Sequence, residues 1–307
     1  MSTSATIATH PAARANDGDL VRTRLDVGAF DVTVCSDGTY LLDGGAMFGV
    51  VPKTLWSKRT PADDLNRILL GLNSVVVRTG KHVVLIETGI GNKQSAKMRE
   101  IQQNQELLPA SLAAAGVRAE EVDVVLNTHL HFDHCGWNTT LHPDGSVTPT
   151  FPNARYFAHA GEVAHGHLQL DRDRVSYLSP NYDPLIASGQ MTLLTAEGIR
   201  ANPEIVSGIS VEEFPGHTAQ MIGVHIESGG EHACYIGDLI PTVHHLDPTW
   251  VIAYDLDPVR CIAERKRFYE RAIPEQWTVL FTHDHHTPAA KVVLNEKGKP
   301  VATPVGN

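Results

Sequence analysis

Cysteine is scarce in this chain: Cys35, Cys135, Cys234 and Cys261 stand far apart among 307 residues, with no Cys-x-x-Cys pair. That spacing argues against a disulfide scaffold and makes a reducing cytoplasm the expected home. Basic charge is short as well. Twenty-five Lys and Arg face 35 Asp and Glu, and 25 − 35 leaves −10. Nucleic acid and anionic membrane surfaces both call for a basic face, so neither is expected as a partner, and a small-molecule substrate is. No apolar run approaches the roughly 18 residues of a membrane span. The segment from Met1 to Asn16 is rich in Ser, Thr and Ala and lacks the basic start and apolar stretch of a signal peptide. It reads as a flexible tail over residues 1–25, ahead of a single domain over 26–307.

What is present suits a large folded core: 42% of residues are hydrophobic and 20% charged, the balance of a soluble globular protein. Short β-branched runs punctuated by Gly, Asn and Asp predict strands at Asp31–Val34, Ser74–Val77 and Val83–Ile86. Leu107–Ala115 has helical spacing and stops at Gly116. The apolar run Val122–Asn127 predicts a buried strand. A second half repeats the order, with strands at Ile209–Val211, Met221–Ile226, Ala233–Ile236 and Thr278–Phe281 and a helix over Pro258–Ile273. Two such halves predict an α/β architecture, an αββα sandwich of two mixed sheets face to face with helices outside. Ahead of the Val83–Ile86 strand, the apolar insert Phe48–Asn73 reads as an amphipathic helix, since Asp64–Leu72 has helical spacing. A homodimer is compatible with that apolar segment.

The densest chemistry lies at the end of the Val122–Asn127 run, where His129, His131, Asp133 and His134 fall within six positions. In extended chain, residues two apart share a face, so His129 and His131 can grip one ion. A turn near Phe132 swings Asp133 and His134 toward a second. Imidazole with carboxylate suits zinc, iron, cobalt or manganese. Three further apolar runs end the same way, in Pro215-Gly216-His217, Gly237-Asp238 and Thr282-His283. Converging strand ends are where a rigid scaffold holds a metal centre.

These motifs resemble those of the metallo-β-lactamase superfamily, over about residues 30–295 of the chain. The resemblance implies two divalent ions, most simply zinc, with His129, His131 and His217 on the first, Asp133, His134 and His283 on the second, and Asp238 bridging. It further implies a shared hydroxide between ions about 3.5–4 Å apart as the nucleophile, with Asp133 and Asp238 as the catalytic carboxylates. Glu87-Thr88-Gly89 stands where the family usually has Asp-Thr-Gly, which makes Glu87 the carboxylate that orients a ligating histidine. β-Lactamases proper place Cys or Ser where this chain has Asp238, so antibiotic hydrolysis is disfavoured.

The chain is most similar in its motifs to N-acyl homoserine lactone lactonases and to the methyl parathion hydrolase-like branch. The expected activity is therefore lactone opening, with acyl homoserine lactones (quorum quenching) first and a phosphotriesterase or arylesterase second. Thioester or β-lactam hydrolysis comes after, and a metal-binding protein without turnover is the non-enzyme alternative. Some lactonases carry a Tyr three positions after the bridging Asp; here that position is Pro241, so another donor or a metal must polarise the carbonyl. Phe132, Trp137, Leu55 and Trp56 are the candidate apolar wall for substrate. For the insert Phe48–Asn73 the same resemblance implies a substrate-covering or dimer-forming loop, the alternative to an amphipathic helix. Cys135 reads as a packing residue, His159, His165 and His167 as structural, and His244, His245, His285 and His286 as loop residues or a substrate mouth.

Overall fold

The computed structural model describes residues 20–306. Strands β1 (Val21–Val27), β2 (Phe30–Asp43), β3 (Arg67–Arg78), β4 (Val83–Ile86) and β5 (Val124–Leu126) are followed by a small hairpin, β6 (Thr139–Leu141) and β7 (Val147–Pro149), and then by β8 (Arg155–His159) and β9 (Met191–Leu194). Apart from the hairpin they form one sheet in the order β1-β2-β3-β4-β5-β8-β9. The second sheet runs in sequence order through β10 (Glu204–Val206), β11 (Ile209–Glu213), β12 (Ile222–Ser228), β13 (Glu231–Tyr235), β14 (Thr278–Leu280), β15 (Ala289–Leu294) and β16 (Pro300–Pro304). The helices are α1 (Gly44–Phe48), α2 (Lys53–Trp56), α3 (Ala96–Gln102), α4 (Leu108–Ala114), α5 (Ala160–Leu168), α6 (Asp183–Ala187), α7 (Ala196–Ala201) and α8 (Pro258–Ala272). Among the described residues no helix is long and apolar enough to cross a membrane.

The period of two in each strand builds the layers. On β3, Val75 and Val77 point into a core shared with Ile222, Val224, Ile226 and Tyr235 of the other sheet. Val76 between them points the other way, into a cluster with Leu108 and Leu112 of α4. On the far side, Cys234, Ile236 and Val279 pack against Phe268 and Tyr269 of α8. The result is an αββα sandwich, as the sequence implies.

Two boundaries differ from expectation. The tail expected over residues 1–25 runs into β1, because Val21–Val27 pairs with β2; residues 1–19 lie outside the described residues. The segment Asp64–Leu72 is neither helix nor covering loop but enters β3, whose first half pairs Ile68 with Leu42 and Leu70 with Tyr40. Ile68, Leu69, Leu70 and Leu72 are all buried, so both faces of the strand are covered. An unbroken apolar run of this kind fits a helix and a doubly buried strand equally well.

Two features bring the site together. The parallel pairs β4–β5 and β13–β14 place the chain after Ile86 and Leu126 on one edge, and that after Tyr235 and Leu280 on another. Within β2 the register shifts between Ser36 and Thr39, and this bulge re-aims Tyr40–Asp43 across the open end of the sandwich. There Gly71 N–H donates to His283 O at 2.9 Å, tying β3 to the opposite sheet's loop. A Cβ on Gly71 would sit 3.2 Å from the backbone of Asp284 and His285, so the close approach depends on its absence.

Candidate metal centre

The seven donors named from the sequence meet at this end of the sandwich, all buried. Nε2 of His129 lies 3.1 Å from Nδ1 of His131, and Nε2 of His217 lies 3.2 Å from that same Nδ1. The second group forms beside it. Nε2 of His134 and Nε2 of His283 are 3.3 Å apart, with the Asp133 carboxylate 3.7 Å from His283 and 3.9 Å from His134. Asp238 spans both groups: Oδ2 is 3.4 Å from His217 and 3.6 Å from His134, while Oδ1 is 3.2 Å from His283.

The outer nitrogens explain which inner ones are free. Asp255 Oδ1 stands 3.0 Å from His217 Nδ1 and accepts its proton. His283 Nδ1 is 2.9 Å from Gly71 O and donates there. Thr128 gives its hydroxyl proton to Glu87 and lies 2.9 Å from His129 Nδ1, so it accepts from that ring. Glu87 Oε1 is also 3.6 Å from His134 Nδ1. With these protons fixed outside, Nε2 of His129 and His217 faces Nδ1 of His131, and Nε2 of His283 faces Nε2 of His134, each pair at van der Waals distance or less. Lone pairs converging in a buried space repel unless a cation lies between them, and Asp238 Oδ1, buried with no hydrogen-bond partner, faces the same space. The donor set therefore fits divalent metal, three nitrogens on one side and a mixed oxygen and nitrogen set on the other.

Electrostatics agree with this reading. Burial, reinforced by neighbouring imidazoles, holds His129 and His131 well below the usual histidine range, which favours the neutral form that a cation would need. Burial would also lower His134, but the Asp238 and Asp133 carboxylates outweigh it and raise that ring well above its ordinary value. Asp238 is driven well below the carboxylate range, because His283, His134 and His217 overcome the effect of burial.

Glu87 performs its work from an uncommon backbone. Its φ is 62°, the left-handed region that costs a non-glycine residue on the order of 1 kcal/mol. Glu87 N–H donates to Leu126 O at 2.8 Å, and the side chain, so aimed, accepts from Thr128 N–H at 2.8 Å. Gly136, just after the motif, approaches Ile90 so closely that a Cβ would lie 2.0 Å from its carbonyl carbon.

A family profile described as the metallo-beta-lactamase superfamily matches residues 68–283. The chain belongs to that superfamily. Among solved structures, a probable metal-dependent hydrolase from Staphylococcus aureus is 30% identical, covering 92% of this chain and 99% of that one at a TM-score of 0.82. AidC, a dizinc quorum-quenching lactonase solved with a product, N-hexanoyl-L-homoserine, is 19% identical over 94% and 99% of the two chains, with a TM-score of 0.77. The hydrolase AbOPH is 21% identical over 93% and 97%, TM-score 0.75. These last two share the metallo-beta-lactamase fold. The superfamily and the metal-dependent relative together support hydrolysis as the class of reaction.

The centre opens into a cavity of about 330 Å³. Of the wall residues expected, Phe132 lines it, beside Leu41, Leu42, Met47, Met98, Ile101, Val175 and Tyr254. The other three are elsewhere. Trp56 is buried against Phe48, rings stacked at 5.2 Å, because α2 turns it inward, and that same turn leaves Leu55 49% exposed to solvent. Trp137 is turned away by the 3₁₀ turn at Gly136–Asn138, and its indole N–H donates to the Asp37 carboxylate at 3.1 Å. Adjacency to the motif made it a candidate; the backbone direction removes it.

Pro241 holds the main chain of His283 through a 2.9 Å hydrogen bond to its carbonyl. Two phenols reach the cavity from other elements. Tyr40 donates to Asp133 Oδ2 at 2.7 Å, and burial with the nearby Asp133 charge keeps it protonated by raising it well above its usual value. Tyr254 stands at the opening, 37% exposed. Sequence reasoning missed Tyr40, Tyr254 and Asp255, none of which lies in a recognisable pattern. Cys135 packs with its thiol 3.3 Å from His131 O. His245 is no loop residue: it is fully buried, bonded to Met47 O at 2.7 Å and stacked on Phe48. His286 is exposed, whereas His244 and His285 are half-buried around Asp284. His159 accepts from Gly161 N–H at the start of α5, and His165 and His167 pair with Asp173 and Asp183.

Proposed function

We propose that this protein is a dinuclear metal-dependent lactonase, with N-acyl homoserine lactones as its best-matched substrates. One observation carries the reading: seven converging ligands open into a single cavity whose wall is mostly hydrocarbon, the combination expected of a site that attacks a polar ring held by an alkyl tail. His129, His131 and His217 would hold one ion, and Asp133, His134 and His283 the other, with Asp238 shared. Zinc-type ions bound there supply Lewis acidity and bring water's proton loss toward neutral pH.

The protein's own residues do the remaining work. Leu41, Met47, Met98 and Phe132 hold the acyl chain and exclude water from it. Tyr40 fixes one oxygen of Asp133, and the other oxygen takes the proton of the attacking water. When the ring C–O bond breaks, Asp133 returns that proton to the departing alkoxide, giving a hydroxy acid. Tyr254, at the cavity opening, donates to the substrate carbonyl or amide. Relatives solved with N-hexanoyl-L-homoserine as product support the same chemistry here.

The test is turnover by the zinc-loaded protein across acyl homoserine lactones, phosphotriesters, thioesters and β-lactams. The reading expects the highest kcat/KM on lactones with extended acyl chains. Preference for a phosphotriester would replace it with the esterase reading, and bound metal without turnover on any substrate would leave a metal-binding protein.

A further inference from the structure

We propose that Glu162 is a positioning residue for the three-histidine half of the centre, a role that rests on the metal reading above but not on the identity of the substrate. Glu162 lies in the first turn of α5 and has no exposed surface. Among the described residues no Lys or Arg pairs with it, so the carboxylate is not part of an ion pair.

Its contacts instead reach three separate segments. Leu130 N–H donates to Oε2 at 3.2 Å, and Leu130 is the residue between His129 and His131. The Tyr177 hydroxyl donates to the same oxygen at 3.1 Å, and the Tyr177 ring meets the His131 imidazole edge-on with centroids 4.9 Å apart. Thr218, which follows His217 directly, lies beside the carboxylate without a hydrogen bond to it. One side chain thus bonds the residue between His129 and His131 and the tyrosine packed on His131, and sits next to the neighbour of His217. Two of those histidines follow the first sheet, and the third lies between β11 and β12 of the second.

A buried carboxylate without a cation is a poor packing residue, because desolvation disfavours its charge. Hydrocarbon would fill the same space. What a carboxylate adds is several acceptor lone pairs at one point, and here they join the 129–131 segment to Tyr177 beside the 217–218 segment. That arrangement favours a cation held by three neutral imidazoles.

The experiment titrates metal-free wild type, Glu162→Gln and Tyr177→Phe with Co²⁺, reading stoichiometry, the visible absorption bands and the shifted imidazole N–H resonances, with Tm of each apoprotein and kcat and KM of each loaded form. Wild type is expected to take two equivalents. In Glu162→Gln one equivalent stays tight and the other weakens about 10- to 100-fold, the usual range for losing an outer partner of a metal ligand. The perturbed resonances should be those of His129 and His217, with kcat reduced and KM nearly unchanged. Tyr177→Phe should move the same readouts less. Two unchanged equivalents with unchanged bands in Glu162→Gln would overturn the role, as would equal loss of both ions or a lowered apoprotein Tm with both affinities intact. If Glu162→Gln fails to fold, Tyr177→Phe applies the same criteria from the donor side. Wild type binding no metal would instead sink the reading of the centre itself, which keeps the two failures distinct.

Discussion

Asp255→Asn is the sharpest single perturbation of this site, because the substitution preserves shape and changes only hydrogen-bond capacity. Both oxygens of Asp255 are committed. Oδ1 accepts from His217 Nδ1 at 3.0 Å, and Oδ2 accepts from Ile252 N–H at 3.1 Å. Asparagine offers one carbonyl oxygen to two donors. If the oxygen faces His217, the amide NH₂ meets the Ile252 N–H and a buried donor is left unpaired. If the NH₂ faces His217, it donates to Nδ1, the ring adopts the other tautomer, and a proton appears on Nε2 where the ion should bind.

Either outcome has a magnitude. An unsatisfied buried donor costs about 1–3 kcal/mol, and loss of an outer hydrogen bond to a metal ligand typically costs about 10- to 100-fold in affinity, or roughly 1.4–2.8 kcal/mol. The two estimates coincide, so the variant should fold with lowered stability in the first orientation or lose affinity in the second. Competition for zinc against a chromogenic chelator, with Tm of the metal-free protein, separates them. Wild-type affinity together with wild-type Tm would refute the reasoning, because an amide cannot satisfy both donors.

Asp238→Asn should remove the second ion and lower turnover by at least about 100-fold, the upper end of what even outer-partner losses produce; metal analysis and kcat check it. The hydrocarbon wall predicts that kcat/KM rises about fourfold per added acyl methylene, from roughly 0.8 kcal/mol per buried CH₂, until the cavity is filled. Met98→Gln should flatten that slope, and a slope unchanged by the substitution would remove Met98 from the acyl path. Far from the centre, burial would raise Glu212, but His225 and Arg267 outweigh it and bring its folded value down to about 2 from 4.5. Its unfolded form therefore binds more protons between those values, so its contribution is complete above about 4.5 and is lost as pH falls toward 2. Glu212→Gln should lower the neutral-pH stability of the metal-free protein by on the order of 2 kcal/mol and flatten its acid decline, as read from urea midpoints across pH.

How much of this was visible in the chain depends on the range of the interaction. β4 spans Val83–Ile86 as its β-branched run implies, and α8 ends at Ala272, one residue before the expected stop. β-Branched composition marks β4 although it is buried from Val84 on, and one-sided burial marks α8. Local pattern fails for Ile68–Leu72, a mostly leucine run buried on both faces, where neither composition nor period separates strand from helix. The seven converging donors were legible because their identities are chemically rare and their positions at strand ends repeat. Their partners were not: Tyr40 meets Asp133 across 93 residues, and Asp255 meets His217 across 38. An isolated Tyr or Asp carries no signal of the contact it will make; the error at Trp137 came from inferring contact out of proximity in sequence, and those at Leu55 and Trp56 from taking the apolar insert for a substrate-covering loop.

The carboxylates around the centre make a final prediction. Asp133 and Asp238 lie among the ligands, and Glu87, Glu162 and Asp255 surround them, all buried. Among the described residues no Lys or Arg is paired with any of the five. Without metal, the only groups that can offset this charge are the imidazoles, and the carboxylates accordingly hold His134 and His217 above their usual values although burial opposes it. Two divalent ions would replace those protons with greater charge at closer range. Metal loading should therefore release protons and stabilise the fold. At free zinc about 1,000 times Kd, one such site contributes about 4 kcal/mol, a rise in Tm of roughly 8 °C for a domain of this size. Calorimetry in buffers of different ionisation enthalpy counts the protons, and melting of chelated against reconstituted protein gives the shift. Equal melting temperatures with no proton release would mean that the buried carboxylates are balanced by something other than bound cations.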